Sequence, residues 1–202
     1  MSSQECRLSN ANTQACLWPP SKVERREFEY IRHGTRTFIL SRDVVTGQVI
    51  APFCGPTRTE QDFLTHIQAV LATDPEAVRW HIVCDNLNTH QSEALVRFVA
   101  HASGITDALG VKGKSGILAS QATRAEFLQQ TDHKVVFHYT PKHSSWLNQI
   151  EIWLSILVRK LLKRGSFASI EELEAKVLAF IGYYNQTAKP FKWTYKGKAL
   201  AA

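Results

Sequence analysis

The sequence predicts an α/β fold in which a mixed sheet carries helices on both faces. A run of aromatic and β-branched residues with a turn inside it, residues 28–53, predicts antiparallel strands. A continuous apolar run, Trp80–Asp85, is typical of a central strand buried on both faces. Segments with the helical spacing of apolar residues separate and follow these strands. Together the three observations favour an α/β domain.

The first 53 residues divide into a lead-in and a strand region. Residues 1–21 are rich in Ser, Asn, Gln and Cys and show neither a helical nor a strand period, so we expect them to be unstructured. Phe28–Leu40 and Val44–Phe53 are the strand-like runs, with Thr46-Gly47 as a turn. We expect two or three strands that pair as an antiparallel meander.

Helix and strand signals alternate through the middle of the chain. Residues 59–62 have the form of a capping box and predict a helix from Phe63 to about Ala72. After the strand that ends at Asp85, Asn88 or Thr89 is the expected cap of a helix that runs to about Ala102. Residues 104–116 contain four glycines, and they predict a loop or insertion.

The last third contains the stretch with the most chemical character. A short helix at 123–130 and a strand at 135–139 are followed by a helix that we expect to begin at Ser144 or Ser145 and to reach about Lys163. Its apolar positions form one arc: Trp146, Leu147, Ile150, Trp153, Leu154, Leu157 and Leu161. Trp153 is predicted to be a core residue, and Glu151 lies at the edge of the arc. A second capping box, at 169–172, begins a final helix that includes Tyr184.

Length and composition narrow the class of protein. With 202 residues, 44% of them hydrophobic, the chain is expected to form one domain around one core. No segment approaches the roughly 20 apolar residues that span a bilayer, and no signal-peptide pattern is seen. We therefore expect a soluble, cytoplasmic, nucleoid-associated protein without a membrane partner. The four cysteines lie far apart and are interpreted as reduced thiols.

The positive charge is concentrated near the C-terminus. Residues 140–202 contain ten Lys or Arg against four Asp or Glu, whereas residues 1–139 contain fourteen of each, so the whole net charge of +6 lies in the last 63 residues. Such a region can neutralise phosphates, which makes DNA the first partner to consider. The candidate DNA-binding residues are Lys142, His143, Trp146, Arg159, Lys160, Lys163, Arg164 and Lys192.

Two carboxylates are candidates for chemistry. Asp85 stands at the C-terminal end of a predicted central strand, where loops and helix N-termini converge in α/β sheets, and Glu151 lies on a later helix. Paired carboxylates can hold Mg²⁺ or Mn²⁺, and two such ions can assist phosphoryl transfer. His90 can steady a phosphate or a metal-bound water. Asn148 precedes Glu151 by three positions and can orient its carboxylate.

Four motifs resemble one family of enzymes. They are Cys84–His90 (CDNLNTH), Tyr139–Glu151 (YTPKHSSWLNQIE), Arg164–Phe167 (RGSF) and Lys189–Thr194 (KPFKWT). The chain resembles the insertion sequence 630 family of bacterial transposases, relatives of the mariner transposases, from about residue 22 to residue 200. The resemblance implies a ribonuclease-H-like catalytic domain and cut-and-paste DNA transposition by a metal-bound Asp-Asp-Glu triad. Asp85 matches the second acidic residue and Glu151 the third, with Asn86, His90 and Asn148 around them.

The chain departs from the family pattern at its beginning. The family carries its first catalytic Asp on the first strand of the sheet, some twenty to thirty residues before the segment matched by Lys22–His33, and no such Asp stands there. The usual helix-turn-helix domain is missing too. Asn10–Pro19 can be written in codons that the genetic code permits for these residues. When those codons are read in the frame that starts two bases later, the translated sequence resembles the segment that the family carries after its first Asp. Residues 1–21 are thus interpreted as a disordered or out-of-frame lead-in and 22–202 as an incomplete catalytic domain that is inactive alone.

Other interpretations stay open at this point. The fragment can be a non-catalytic module that binds DNA or full-length transposase, and homodimer formation is possible. A nuclease of the same fold acting on RNA hybrids is a weaker alternative. Zinc is disfavoured, because the spacings of His81, Cys84, His133, His138 and His143 fit no tetrahedral site, and His81 and Cys84 point to opposite faces of a strand.

Overall fold

The computed structural model describes residues 34–141 and 148–192, apart from the side chain of Arg164. This part of the chain is mixed α/β. Its elements, in chain order, are β1 (Thr37–Arg42), β2 (Val49–Gly55), α1 (Glu60–Leu71), β3 (Trp80–Cys84), α2 (Glu93–Ala102), α3 (Gln121–Leu128), β4 (Val135–Tyr139), α4 (Gln149–Lys160) and α5 (Ile170–Asn185). Short 3-10 turns lie at Asn88–Gln91, Gly116–Leu118 and Leu162–Arg164.

The strands form two separate pairs. β1 and β2 are antiparallel, and β3 and β4 are parallel. Within the described ranges no hydrogen-bonded ladder joins one pair to the other, so these residues do not by themselves form the single mixed sheet that was predicted. The physical reason is that neither β1 nor β3 has a second neighbouring strand among them.

The predicted turn between the first two strands is confirmed. Asp43 accepts hydrogen bonds at its carboxylate from the backbone N–H of Val45 and from the hydroxyl of Thr46, at 2.8 and 2.6 Å. Gly47 has a φ of 81° and lies so close to the Lys189 carbonyl that a Cβ would collide with it. Only glycine suits this position without strain, because its backbone tolerates positive φ and it adds no side chain.

One core lies among α1, α2, α3 and the β3–β4 pair. Its fully buried side chains include Ile67, Leu95, Val99, Leu128 and Phe137. The helix α1 begins at the predicted capping box, in which Thr59 and Asp62 satisfy each other's backbone N–H groups. Ile39 of β1 and Ile82 of β3 both pack against this core. Helix α1 and its core therefore contact both strand pairs.

A second core lies beneath α4 and α5. It is built from Val49, Trp153, Leu157, Val177 and Ile181, each with at most 4% of its surface exposed. The predicted core position of Trp153 is confirmed, because its surface is fully buried. The same hydrophobic contacts dock α4 and α5 against the β1–β2 pair.

Three helix starts differ from the sequence-based expectation. Helix α2 is capped by Ser92, whose hydroxyl accepts the Leu95 N–H, while Asn88 and Thr89 belong to a preceding 3-10 turn. Helix α3 begins at Gln121, capped by Ser120, two positions before the expected start. Helix α4 is capped by Asn148 and not by Ser144 or Ser145. In each case the observed cap is a polar side chain that accepts a free backbone N–H of the first helical turn: Ser92 from Leu95, Ser120 from Thr123 and Asn148 from Ile150.

Several predictions fall outside the described ranges. These are the lead-in at 1–21, the strand residues 28–33, and the candidate DNA-binding residues Lys142, His143 and Trp146. Among the helices that the structure does describe, none is long and apolar enough to cross a membrane. Two cysteines are described, and both are free thiols: Cys54 is half-buried and Cys84 is buried.

Candidate active site and nucleic-acid interface

Asp85 follows the C-terminal end of β3, as the apolar run predicted. The expectation that this strand is buried on both faces is wrong for the described residues, because His81 and Val83 are exposed on the face opposite the core. The Thr140 N–H donates to the Cys84 carbonyl at 2.9 Å, so the paired ends of β3 and β4 are held together directly beside Asp85. The Asp85 side chain is 49% exposed, and its Oδ1 accepts the Leu87 backbone N–H at 3.3 Å. The carboxylate is thus held in position while remaining open to solvent.

His90 turns back onto Asp85. Its Nδ1 lies 2.8 Å from Asp85 Oδ1 and 3.3 Å from the Asp85 carbonyl oxygen. Because both neighbours of Nδ1 are acceptors, that nitrogen carries a proton. Phe63 of α1 packs against the imidazole with ring centroids 4.1 Å apart. Burial lowers the pKa of His90, although the Asp85 carboxylate acts in the opposite direction. A neutral His90 therefore orients the carboxylate without neutralising it.

A polar network supports the loop after Asp85. Asn86 donates to the Thr140 carbonyl at 2.7 Å and accepts from the Gln91 side chain at 3.1 Å. Tyr139 donates its hydroxyl to the His90 carbonyl at 2.9 Å. The predicted supporting role of Asn86 thus has a structural basis, since its amide ties the Asp85 loop to the end of β4.

Two neighbouring groups are poor nucleophiles. Burial raises the pKa of the Cys84 thiol to about 12, so the thiol stays protonated at neutral pH. Burial also raises the pKa of Tyr139, whose hydroxyl is already donating to His90. The Asp85 carboxylate and the His90 imidazole therefore remain the candidate functional groups at this edge.

Glu151 lies in the first turn of α4 and is exposed to solvent. Asn148 caps the helix by accepting the Ile150 N–H at 3.4 Å, so its amide oxygen faces its own helix. Its role in orienting Glu151 stays a prediction. The described residues contain no cluster of three or more His, Cys, Asp or Glu side chains that would hold a metal ion. On their own they do not make a two-metal site, and the convergence of Asp85 with Glu151 also stays a prediction.

The structure describes four of the five side chains named in the zinc interpretation, namely His81, Cys84, His133 and His138. His81 and His138 contact each other on the exposed face of the β3–β4 pair, with Nδ1 and Nε2 2.9 Å apart. Cys84 is buried on the opposite face, and His133 is buried against Phe127. This placement matches the strand alternation on which the prediction rested.

The described cations of the predicted DNA interface are accessible. Arg159, Lys160, Lys163 and Lys192 are all exposed. Arg159 donates to the Ser155 carbonyl of its own helix at 3.2 Å. Exposure makes these side chains available to phosphates, but DNA contact by any of them stays a prediction.

The comparison with family models decides the class of protein. Residues 5–174 match the model of the DDE superfamily endonucleases. The chain belongs to that family. The match includes Asp85 and Glu151, and it begins within residues 1–21, whose assignment as a lead-in stays a prediction. Searches of curated proteins and of solved structures gave no match.

A DDE superfamily endonuclease performs transposase-like DNA cleavage, and the family generally uses divalent metal ions. In this DDE endonuclease, the sequence-based reasoning missed the residues that position Asp85: Phe63, Gln91, Tyr139 and Thr140. The available signal was position in the sequence, because Gln91 directly follows the Cys84–His90 motif and Thr140 lies within the Tyr139–Glu151 motif. No feature of the sequence indicated the contact of Phe63 with His90, because an aromatic residue on the apolar face of a helix is typical of a core residue.

Proposed function

We propose that the chain is the catalytic domain of an insertion-sequence transposase that cuts and joins DNA in cut-and-paste transposition. The observation that carries the proposal is the Asp85–His90 pair at the carboxyl end of β3, within a chain of the DDE endonuclease family. In this proposal the complete fold is ribonuclease-H-like. Asp85 is the second acidic residue of the triad and Glu151 the third.

The proposed reaction is an in-line displacement at a phosphodiester. A hydroxyl of water, or the 3′ hydroxyl of a DNA end, attacks the phosphorus atom, and the 3′ oxygen of the scissile bond departs. Mg²⁺ or Mn²⁺ is the cofactor that the resemblance implies, and such ions neutralise charge on the transferring phosphate when bound. Asp85 and Glu151 are the residues of this chain that would hold them. His90 keeps the Asp85 carboxylate oriented, and Asn86 fixes the loop.

We further propose that this chain is inactive alone. A two-metal site requires a carboxylate that bridges both ions, and the resemblance assigns that role to the Asp that is missing here. Loss of one member of a cooperating catalytic set commonly costs about 10⁴-fold in rate.

Cleavage of transposon-end DNA in Mg²⁺ or Mn²⁺ tests this function. The nucleotide sequence upstream of Met1 shows whether another reading frame encodes the first Asp, and a chain that restores the first strand and its Asp is expected to cleave. Its Asp85→Asn and Glu151→Gln variants should not cleave the DNA. The control variant Lys134→Ala, which changes a residue just before the N-terminal end of β4 and far from Asp85, should still cleave it. Cleavage by the 202-residue chain alone that Asp85→Asn abolishes would refute inactivity. Failure of the restored chain to cleave would refute the function.

The second candidate is a non-catalytic fragment that binds DNA or full-length transposase. The observation that favours it is that, within residues 34–141 and 148–192, the strands form two pairs with no ladder between them. A strand edge that has no partner can pair with a strand of another chain. This candidate predicts that an excess of the chain inhibits full-length transposase in a cleavage assay. It also predicts co-elution of the two proteins, or a homodimer of the fragment, in size-exclusion chromatography with light scattering.

A further inference from the structure

A cavity bordered by polar and charged residues lies beside the loop that follows Asp85. Its volume is about 230 Å³, enough for a phosphate group and several waters, each of which occupies about 30 Å³ in the liquid. The lining residues are Glu60, Asn88, Thr89, Ser92, Lys112 and Arg124. The cavity therefore joins the Asp85 loop, the start of α2 and the 104–128 segment, which the sequence marked only as an insertion and a short helix.

Arg124 is a buried cation at this cavity. Only 8% of its surface is exposed, and it donates from Nε to the Gln91 carbonyl at 2.6 Å and from Nη1 to the Leu118 carbonyl at 3.3 Å. These carbonyls hold the guanidinium in place but do not neutralise its charge. Across the described ranges, no carboxylate forms an ion pair with it. A buried charge is costly unless it is paired. Because a guanidinium has five N–H donors, the remaining donors of Arg124 are available to bind an anion.

Lys112 supplies a second cation from the tip of a tight hairpin. The hairpin is closed by the Val111 N–H donating to the Ser115 carbonyl at 3.0 Å, and Gly110 permits it by adopting a φ of 90°. The Lys112 Nζ lies 3.8 Å from Glu60 and 3.9 Å from Glu93, both beyond hydrogen-bond distance. Glu93 is already bound to Arg97 at 2.7 Å. The Lys112 ammonium group therefore forms only weak ion pairs and can rotate to contact an anion in the cavity.

Neutral donors complete the lining. Ser92 is 4% exposed and uses its Oγ to accept the Leu95 N–H, which leaves its hydroxyl proton free to donate. Asn88 and Thr89 also line the cavity. Glu60 is the one acidic residue of the lining, and it lies on the Lys112 side. The lining thus presents two cations and three neutral polar side chains against a single carboxylate.

We propose that this cavity binds one backbone phosphate of a DNA strand that passes the Asp85 loop. Arg–phosphate pairs can use two parallel N–H bonds, and Ser, Thr and Asn side chains commonly contact phosphates in protein–DNA complexes. Asn88 and Thr89 immediately precede His90, so a phosphate held here anchors the strand next to the Asp85–His90 pair. The inference rests on the proposed function for its choice of DNA, and it adds a contact that lies outside the basic C-terminal region.

The matched variants are Lys112→Gln and Lys114→Gln. Both change the same charge on the same exposed hairpin, but only Lys112 lines the cavity. In fluorescence anisotropy with a short duplex and the 202-residue chain, Lys112→Gln should weaken binding about threefold to tenfold. It should also lower the salt-dependence slope by about 0.9, while Lys114→Gln changes both much less. Equal effects of the two variants would overturn the proposal.

A second measurement identifies the ligand and its location. Titration with inorganic phosphate should shift the NMR resonances of the backbone amides of Thr89, Ser92 and Leu95. The Arg124→Lys variant should show smaller shifts. A circular-dichroism melt verifies that this variant is folded. A contrary outcome combines amide shifts on addition of phosphate with a duplex affinity that Lys112→Gln leaves unchanged. It would mean that the cavity binds free phosphate only, and it would overturn the DNA assignment. The two proposals can fail separately. If the restored chain does not cleave DNA but Lys112→Gln still weakens its binding to the duplex, the proposed function is refuted and the phosphate site is supported.

Discussion

His66 of α1 is a histidine with a structural role. It is 1% exposed, its Nδ1 lies 3.0 Å from the Ala51 carbonyl, and its Nε2 lies 2.8 Å from the Ser41 hydroxyl. The carbonyl can only accept, so Nδ1 carries the proton and Nε2 accepts from the hydroxyl. Ala51 has a φ of 45°, unusual for a residue with a Cβ, and its carbonyl is satisfied by the imidazole. His66 thereby stabilises a kink in β2.

The buried imidazole should make stability depend on pH. Burial lowers the pKa of His66 to about 4, and a charged His90 nearby would act in the same direction. The unfolded chain, with a pKa near 6.5, binds a proton that the folded chain does not between about pH 6.5 and pH 4, so the folded state loses stability as the pH falls through this window. The loss attributable to His66 should be about 2 to 3 kcal/mol between pH 7 and about pH 4.5.

Urea unfolding at several pH values measures this loss. The His66→Gln variant should depend on pH less steeply than the unmodified chain by that amount, since glutamine does not titrate. His101→Gln, at an exposed position on α2, serves as the control and should leave the pH dependence nearly unchanged. Parallel pH curves for the chain and His66→Gln would contradict the assignment.

At the scale of elements, one side chain fastens α5 to β2. The Val49 N–H donates to Asn185 Oδ1 at 2.9 Å, and Asn185 Nδ2 donates to the Val49 carbonyl at 2.8 Å. The side-chain amide of Asn185 therefore pairs with β2 much as a neighbouring strand would. Val49 is 2% exposed, so little water is available to replace these bonds.

Removal of this amide should destabilise the fold. Asn185→Ala leaves a buried N–H and a buried carbonyl without these partners, and we expect a loss of about 2 kcal/mol in the free energy of unfolding. Gln186→Ala, at the adjacent exposed position, should cost much less. Chemical denaturation of both variants gives the comparison, and equal losses would show that the amide pairing contributes nothing specific.

For the whole molecule, the uneven charge predicts where DNA binds. Lys160 and Lys163 are exposed cations of the region that holds the entire net charge. Changing both to Ala should weaken duplex binding and reduce the slope of log affinity against log salt by about 0.9 for each phosphate that is no longer neutralised. The control is Lys134→Ala, an exposed cation outside that region. A salt slope that the double variant leaves unchanged would rule out this interface.

Local elements were largely predictable from the chain. The capping box at the start of α1, the strand that begins at Trp80 and the helical spacing around Trp153 depend on residues within a few positions of each other, and the structure confirms them. The second predicted box is only half formed, because the Ser169 hydroxyl accepts the Glu172 N–H while the Glu172 carboxylate accepts from Ala168. Helix starts were less predictable, as at Ser92 and Asn148, because several polar side chains compete for the same free N–H groups. The partnership of Asp85 with His90 lies within a five-residue span, which is why its motif was readable.

By itself, the sequence determined the α/β class, the position of Asp85 at a strand end and the basic C-terminal region. Only the tertiary structure decided which distant groups meet. Arg124 lies 33 positions from the Gln91 carbonyl that holds it, and the amide of Asn185 reaches Val49 across 136 positions. The separation of the strands into two pairs is also a tertiary result. Such contacts depend on how packed elements fill space, and periodicity within one element contains no information about its neighbour.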